Sequence, residues 1–188
     1  MDAVLIIRTD KEAILILDDM RREILRLLAK EALTAGNLAV TLGLSAPTVS
    51  HHLNSLKRSG FVEIVRAEPE SHGIVQKFYQ SKAQAYIVET EKLSAPVKRY
   101  FMPARIERTR GILAALTLNA RDGYKPSSPA VEEATRELAR HILEAAERRQ
   151  GPCTETDPEC VINEIYAEAL RSLLKSKPEI LPLTPHTS

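Results

Sequence analysis

The sequence has no tryptophan, and aromatic residues make up only 4% of its 188 positions. Any core must therefore be packed from Leu, Ile, Val and Ala. Cysteine is scarce as well. Two residues cannot build the disulfide framework of a small secreted fold. Charge of one sign is also missing, since 26 Lys and Arg stand against 25 Asp and Glu for a formal net charge of +1. Affinity for nucleic acid, if present, has to come from where cations sit and not from their total. No apolar run approaches the roughly 20 residues of a membrane span. The opening MDAVLIIRTDKEAILIL is broken by Arg8, Asp10, Lys11 and Glu12 and lacks the basic head of a signal peptide. A soluble, cytoplasmic chain with no membrane partner is expected. Also absent are a glycine-rich phosphate loop, a nucleophile elbow and a His/Glu metal signature. The 5 histidines are scattered over positions 51, 52, 72, 141 and 186. No enzyme activity, cofactor or bound metal is expected.

What is present is 44% hydrophobic and 27% charged residues, enough to bury a core and against disorder as the default. Residues 3–7 (AVLII) read as a short strand. Asp10 is placed to cap a helix over 11–17, and Asp18 a second one, DMRREILRLLAKE, with Met20, Ile24, Leu27 and Leu28 at helical spacing. Thr34 caps a short helix that buries Leu38 and Leu42 and ends at Gly43. Ser45 caps a fourth, APTVSHHLNSLKRSG, with Pro47 in its first turn and Gly60 at its end. FVEIVR (61–66) and IVQKFYQ (74–80) read as strands around a turn cluster at 68–73. Beyond residue 82 a strand is expected near 85–89. Helices are expected from Pro103 to about 120, from Pro129 (capped by Ser128) to about 149, and from Pro158 to about 175. A linker at 121–129 and a frayed tail from 177 complete the pattern.

Short helices followed by a strand, a turn and a returning strand are the order of a winged helix-turn-helix. The fold class expected is mostly α with a small β-hairpin wing: a winged helix-turn-helix over 1–82 and a C-terminal helical extension over 83–188. The run TAGNLAVTLGLSAPTVSHHLNSLKRSGFVEIVR, with LDDMRREILRLL before it, resembles the ArsR-like winged-helix regulators over roughly residues 11–80. The resemblance implies double-stranded DNA as the partner. Many relatives sense metals through a Cys-x-Cys pair on the helix before the recognition helix. Here that helix, AGNLAVTLG, has no cysteine, histidine or carboxylate, so that site is excluded.

The residues of the fourth helix agree with this reading. At about 100° per residue, Val49, Leu53 and Leu56 fall together toward a core. The opposite side carries Pro47, Ser50, His51, Asn54 and Arg58, flanked by Thr48, Ser55 and Lys57, with Ser45 at the cap and His52 nearer the core edge. That face has hydrogen-bonding groups and cations but no carboxylate, so it can enter a phosphate-walled groove without repulsion. Asn54 suits adenine, and Thr48, Ser50 and His51 can reach bases or phosphates. A polar outer face is equally what any surface helix shows. The wing offers Arg66, His72 and Lys77 to DNA, but Glu68 and Glu70 at its tip oppose phosphate, and a solvated hairpin is an equal reading. The cations Lys98, Arg99, Arg105, Arg108 and Arg110 read best as a solvated helix face.

Cys153 and Cys160 leave several readings open: a disulfide, a redox switch, a metal site with His141, or two separate thiols, the plainest of these. Their spacing matches no standard zinc pattern. The amphipathic C-terminal helices need partners for their apolar stripes. A homodimer through those helices, with a pocket for an unknown small-molecule effector, is expected. The rival reading is a winged-helix protein-interaction module of an assembly complex, without base readout.

Overall fold

The computed structural model describes residues 1–69, 75–117, 127–153 and 157–178. Contacts divide the chain into two units, Met1–Leu93 with Arg149–Ile162, and Ser94–Arg148 with Asn163–Ser188.

The first unit opens with strand β1 (Asp2–Ile7), then helices α1 (Asp10–Leu17) and α2 (Asp19–Lys30). Thr9, not Asp10, caps α1, by accepting from the Glu12 N–H, so Asp10 becomes the first helical residue, where its charge suits the helix dipole. Asp18 caps α2 as its position predicts. The buried face of α2 is Ile24, Leu25, Leu28 and Ala29, while Met20 at its start is exposed. A two-residue strand β2 (Leu33–Thr34) leads into α3 (Ala35–Leu42), closed at its start by a reciprocal Thr34–Asn37 capping box. Gly43 ends α3 at φ 65°, a left-handed conformation that a β-carbon disfavours.

After α4 (Ala46–Arg58) come β3 (Val62–Pro69) and β4 (Val75–Ser81), the antiparallel pair of the wing, with β2 on the other edge of β4. The register carries a bulge between Ile64 and Arg66. The expected turn cluster falls largely on residues 70–74, outside the described ones, and His72 lies there. Strand β5 (Ala83–Val88) turns away from the hairpin and pairs parallel with β1, Val4 opposite Ala85 and Ile6 opposite Ile87. That pairing carries the first unit past the expected break at residue 82. A later segment joins it: the Ala3 N–H donates to the Gly151 carbonyl (2.8 Å) and the Cys153 N–H to the Met1 carbonyl (3.2 Å).

The second unit holds α5 (Ala95–Thr117), α6 (Ser128–Glu147) and most of α7 (Pro158–Ser176). Pro103, which the sequence marks as a helix start, lies inside α5 instead, where its ring leaves the fourth carbonyl before it without a helical donor. Ser127, one residue before the expected Ser128, caps α6. Leu113, Val131, Ala134, Leu138, Ala169 and Leu173 form the buried cluster of this unit. Most of the expected linker (121–126) and the tail from 179 lie outside the described residues. Among the described residues no helix is long and apolar enough to cross a membrane.

Candidate nucleic-acid interface

Helix α4 owes its position to both of its ends. The Ser45 hydroxyl accepts from the Thr48 N–H (3.3 Å) and shares a 2.8 Å hydrogen bond with the Thr48 hydroxyl. At the other end Gly60 adopts φ 78°, its N–H donates to the Lys57 carbonyl (3.1 Å), and the Phe61 N–H reaches back to the Leu56 carbonyl (2.9 Å). This closing pair satisfies carbonyls that would otherwise be orphaned and aims the chain into β3. Between the ends, Val49, Leu53 and Leu56 are at most 1% exposed. Each such side chain contributes about 1.5–3 kcal/mol by leaving water, and together they fix which face of α4 looks outward.

That outward face is the one the spacing predicts. Ser45, Pro47, Thr48, His51, Asn54, Lys57 and Arg58 are exposed; Ser50, His52 and Ser55 are half-buried. The Asn54 backbone carbonyl accepts from Arg58 Nε (3.3 Å), which leaves the Asn54 side-chain amide outside that bond. The rings of His51 and His52 meet edge to face with centroids 6.0 Å apart. His52 Nδ1 is buried without a hydrogen-bond partner. Lys57 and Arg58 in the last turn oppose the negative end of the helix dipole and keep the face cationic.

The wing is arranged differently. Arg66 lies opposite Phe78 in the register, its guanidinium carbon 3.9 Å from the ring centroid, and its Nε is 3.0 Å from Glu68 Oε1. The two contacts together hold that guanidinium along the hairpin. Lys77 is exposed on β4.

Tyr86 is a residue that sequence reasoning gave no role. Its hydroxyl donates to the Phe61 carbonyl (2.9 Å) and lies 2.6 Å from Ser81 Oγ, and its ring tilts onto Phe61 at 5.3 Å. One side chain thus joins the end of α4, the root of the wing and β5. Burial pushes its phenol up to about 12, so it stays a neutral donor at physiological pH. The only hint in the sequence is an aromatic within the apolar run AQAYIV.

Several other candidates have local partners of their own. Arg110 pairs with Glu107, and Arg108 stacks over Tyr166 and donates to its hydroxyl. His141 is buried with Glu144 Oε2 3.2 Å from Nδ1 and Ser176 Oγ 3.1 Å from Nε2. Cys153 is half-buried and Cys160 exposed, both as thiols, with the Cys160 thiol 3.9 Å from Asp157 Oδ2. Among the described residues no group of three or more His, Cys, Asp or Glu could hold a metal ion.

No curated protein sequence matches the chain. A solved structure, reduced HlyU from Vibrio cholerae N16961, is 26% identical over 52% of this chain and 83% of that one, with a TM-score of 0.32, too low to support any statement about this fold. Residues 16–65 match a family model described as a helix-turn-helix domain. That span runs from the end of α1 through α2, α3 and α4 into β3. With the hairpin that follows it, this part of the chain is a winged helix-turn-helix.

Proposed function

We propose that the chain is a transcription regulator that binds double-stranded DNA sequence-specifically, as a homodimer on a partly palindromic operator. The observation that carries this reading is the outer face of α4, exposed, cationic at its end and free of carboxylates along Ala46–Arg58. Asn54 reads adenine through its amide, His51 a base or phosphate, and Lys57 and Arg58 hold the backbone. A single helix of this size buries too little surface for tight specific binding. A two-fold dimer that sets two copies of α4 about one helical turn apart supplies the rest. The helices α5 to α7 are the elements for the dimer contact, and a signal received there acts by changing the spacing of the two reading helices.

Fluorescence anisotropy tests this on a labelled duplex from upstream of the protein's own gene and on random genomic fragments, across a salt series. A preferred duplex with a steep salt slope supports the regulator. Absence of binding to every fragment supports a winged-helix interaction module instead, the reading that the engaged Arg66 and the exposed Glu63 and Glu68 on the wing favour.

A further inference from the structure

The first unit contains a half-open cavity of about 190 Å³ between α1, α2, β5 and the start of α7. Ile16, Leu25, Ala85, Tyr86 and Ile162 give it apolar walls. Among the described residues that line it, Gln84 is the buried polar one, 5% exposed, and its amide can both donate and accept. In other proteins an enclosed aliphatic cavity of about 150 Å³ has room for benzene. The volume here therefore suits one ring with one small substituent. Arginines stand at the mouth, but Arg22 pairs with Asp19 and Arg26 with Glu23 (2.8 Å), and Glu159 adds a further negative charge beside them. The rim is electrically balanced and offers no uncompensated cation to an anionic ligand.

Tyr86 gives the cavity a connection. Its ring forms part of the wall, and its hydroxyl is the one that bridges the Phe61 carbonyl and Ser81. Phe61 in turn closes α4 through its N–H to Leu56, and its carbonyl also accepts from the Lys82 N–H (2.9 Å). A molecule that presses on the Tyr86 ring moves the group on which the end of α4 and the root of the wing both depend.

We propose that this cavity binds a small, uncharged aromatic molecule with one hydrogen-bonding group, held by Gln84, and that Tyr86 carries its occupancy to the joint between α4 and the wing. The site is tested on the full chain without DNA, so its failure leaves the DNA-binding reading untouched. Phenol and toluene, which share a shape, are titrated while ¹H–¹⁵N spectra are recorded. Saturable shifts centred on Leu25, Ala85 and Tyr86 are expected, with phenol binding about fivefold to tenfold tighter for its one hydrogen bond. Gln84→Met keeps toluene binding and loses the phenol advantage. Ile162→Phe fills the space and weakens both at least about tenfold, with thermal melting as the check that it folds. Saturating phenol changes amide hydrogen exchange at Phe61 and Lys82 severalfold in the wild-type chain and leaves it unchanged in Tyr86→Phe. The site is overturned if neither probe gives saturable shifts at the cavity, or if Gln84→Met keeps the full preference for phenol. Unaltered exchange at Phe61 and Lys82 under saturating phenol overturns the role of Tyr86.

Discussion

Helix α4 and the wing both present basic side chains to solvent, and they differ in what those side chains are already doing. On α4, Arg58 makes a hydrogen bond to a backbone carbonyl of its own helix, and its charge stays available. On the wing, Arg66 is stacked on Phe78 and paired with Glu68, so a phosphate would have to compete with both. A cation–π contact and an exposed ion pair are each worth only about 0.5–1 kcal/mol, yet together they order a side chain that DNA would need to reorder. The lesson is that availability, more than residue type, separates a surface that can meet a new partner from one already engaged. A helix whose partners are all within one turn tends to leave its outer side chains available. A hairpin sets a second strand's side chains against each of its own.

The comparison can be tested in order of expected effect. Leu53→Ala, at a site 1% exposed, removes the packing that orients α4. It should cost about 2–5 kcal/mol in chemical denaturation and take all DNA binding with it. The paired change His51→Ala and Asn54→Ala should leave the denaturation midpoint within error. It should cost about one hundredfold in affinity for the preferred duplex, at roughly 1–3 kcal/mol per base contact, with little change on scrambled DNA. Surviving preference would move base reading off α4. Tyr86→Phe tests the joint between the two regions. A phenol held near 12 in the folded chain, against about 10 unfolded, stabilises the fold fully below pH 10, and that contribution is lost as pH rises from 10 toward 12. Denaturation of the wild type should therefore fall off more steeply over that window than that of Tyr86→Phe. The smallest effect is expected for Arg66→Ala: less than about threefold in DNA affinity with an unchanged salt slope, read by the same anisotropy series. A tenfold loss would show that the wing contacts phosphate after all.

Helix α4 was legible because everything that defines it is local. The Ser45 cap, Pro47 in the first turn, the apolar spacing of Val49, Leu53 and Leu56, and Gly60 at the end all lie within the segment itself. The stripe of α2 is centred away from where its spacing puts it, since Leu25 and Ala29 are buried and Met20 is exposed. Periodicity gives a direction, and only packing neighbours give its centre. The stacking of Phe78 on Arg66 depends on a bulge that shifts the register by a residue, and nothing in either strand announces it. The parallel pairing of β1 with β5 joins segments with the whole helix-turn-helix between them, beyond the reach of any local pattern. Pro103 misled for the opposite reason. A proline usually marks a helix start, but the residues before it continue the helix and the break is absorbed within it.

The bonds from Ala3 to Gly151 and from Cys153 to Met1 have a consequence for how the protein is made. The first unit is discontinuous along the chain, with α5 and α6 inserted before the segment that completes it. Synthesis runs from the N-terminus, so β1 is made early and waits for partners that arrive in stages. Strand β5 comes first, and the residues around Gly151 follow only after both intervening helices have been made. On the ribosome, the first unit therefore cannot be finished as a separate early product. A ribosome stalled within α6 would release β1 paired on one edge and unbonded on the other, and such exposed strand edges invite association between chains.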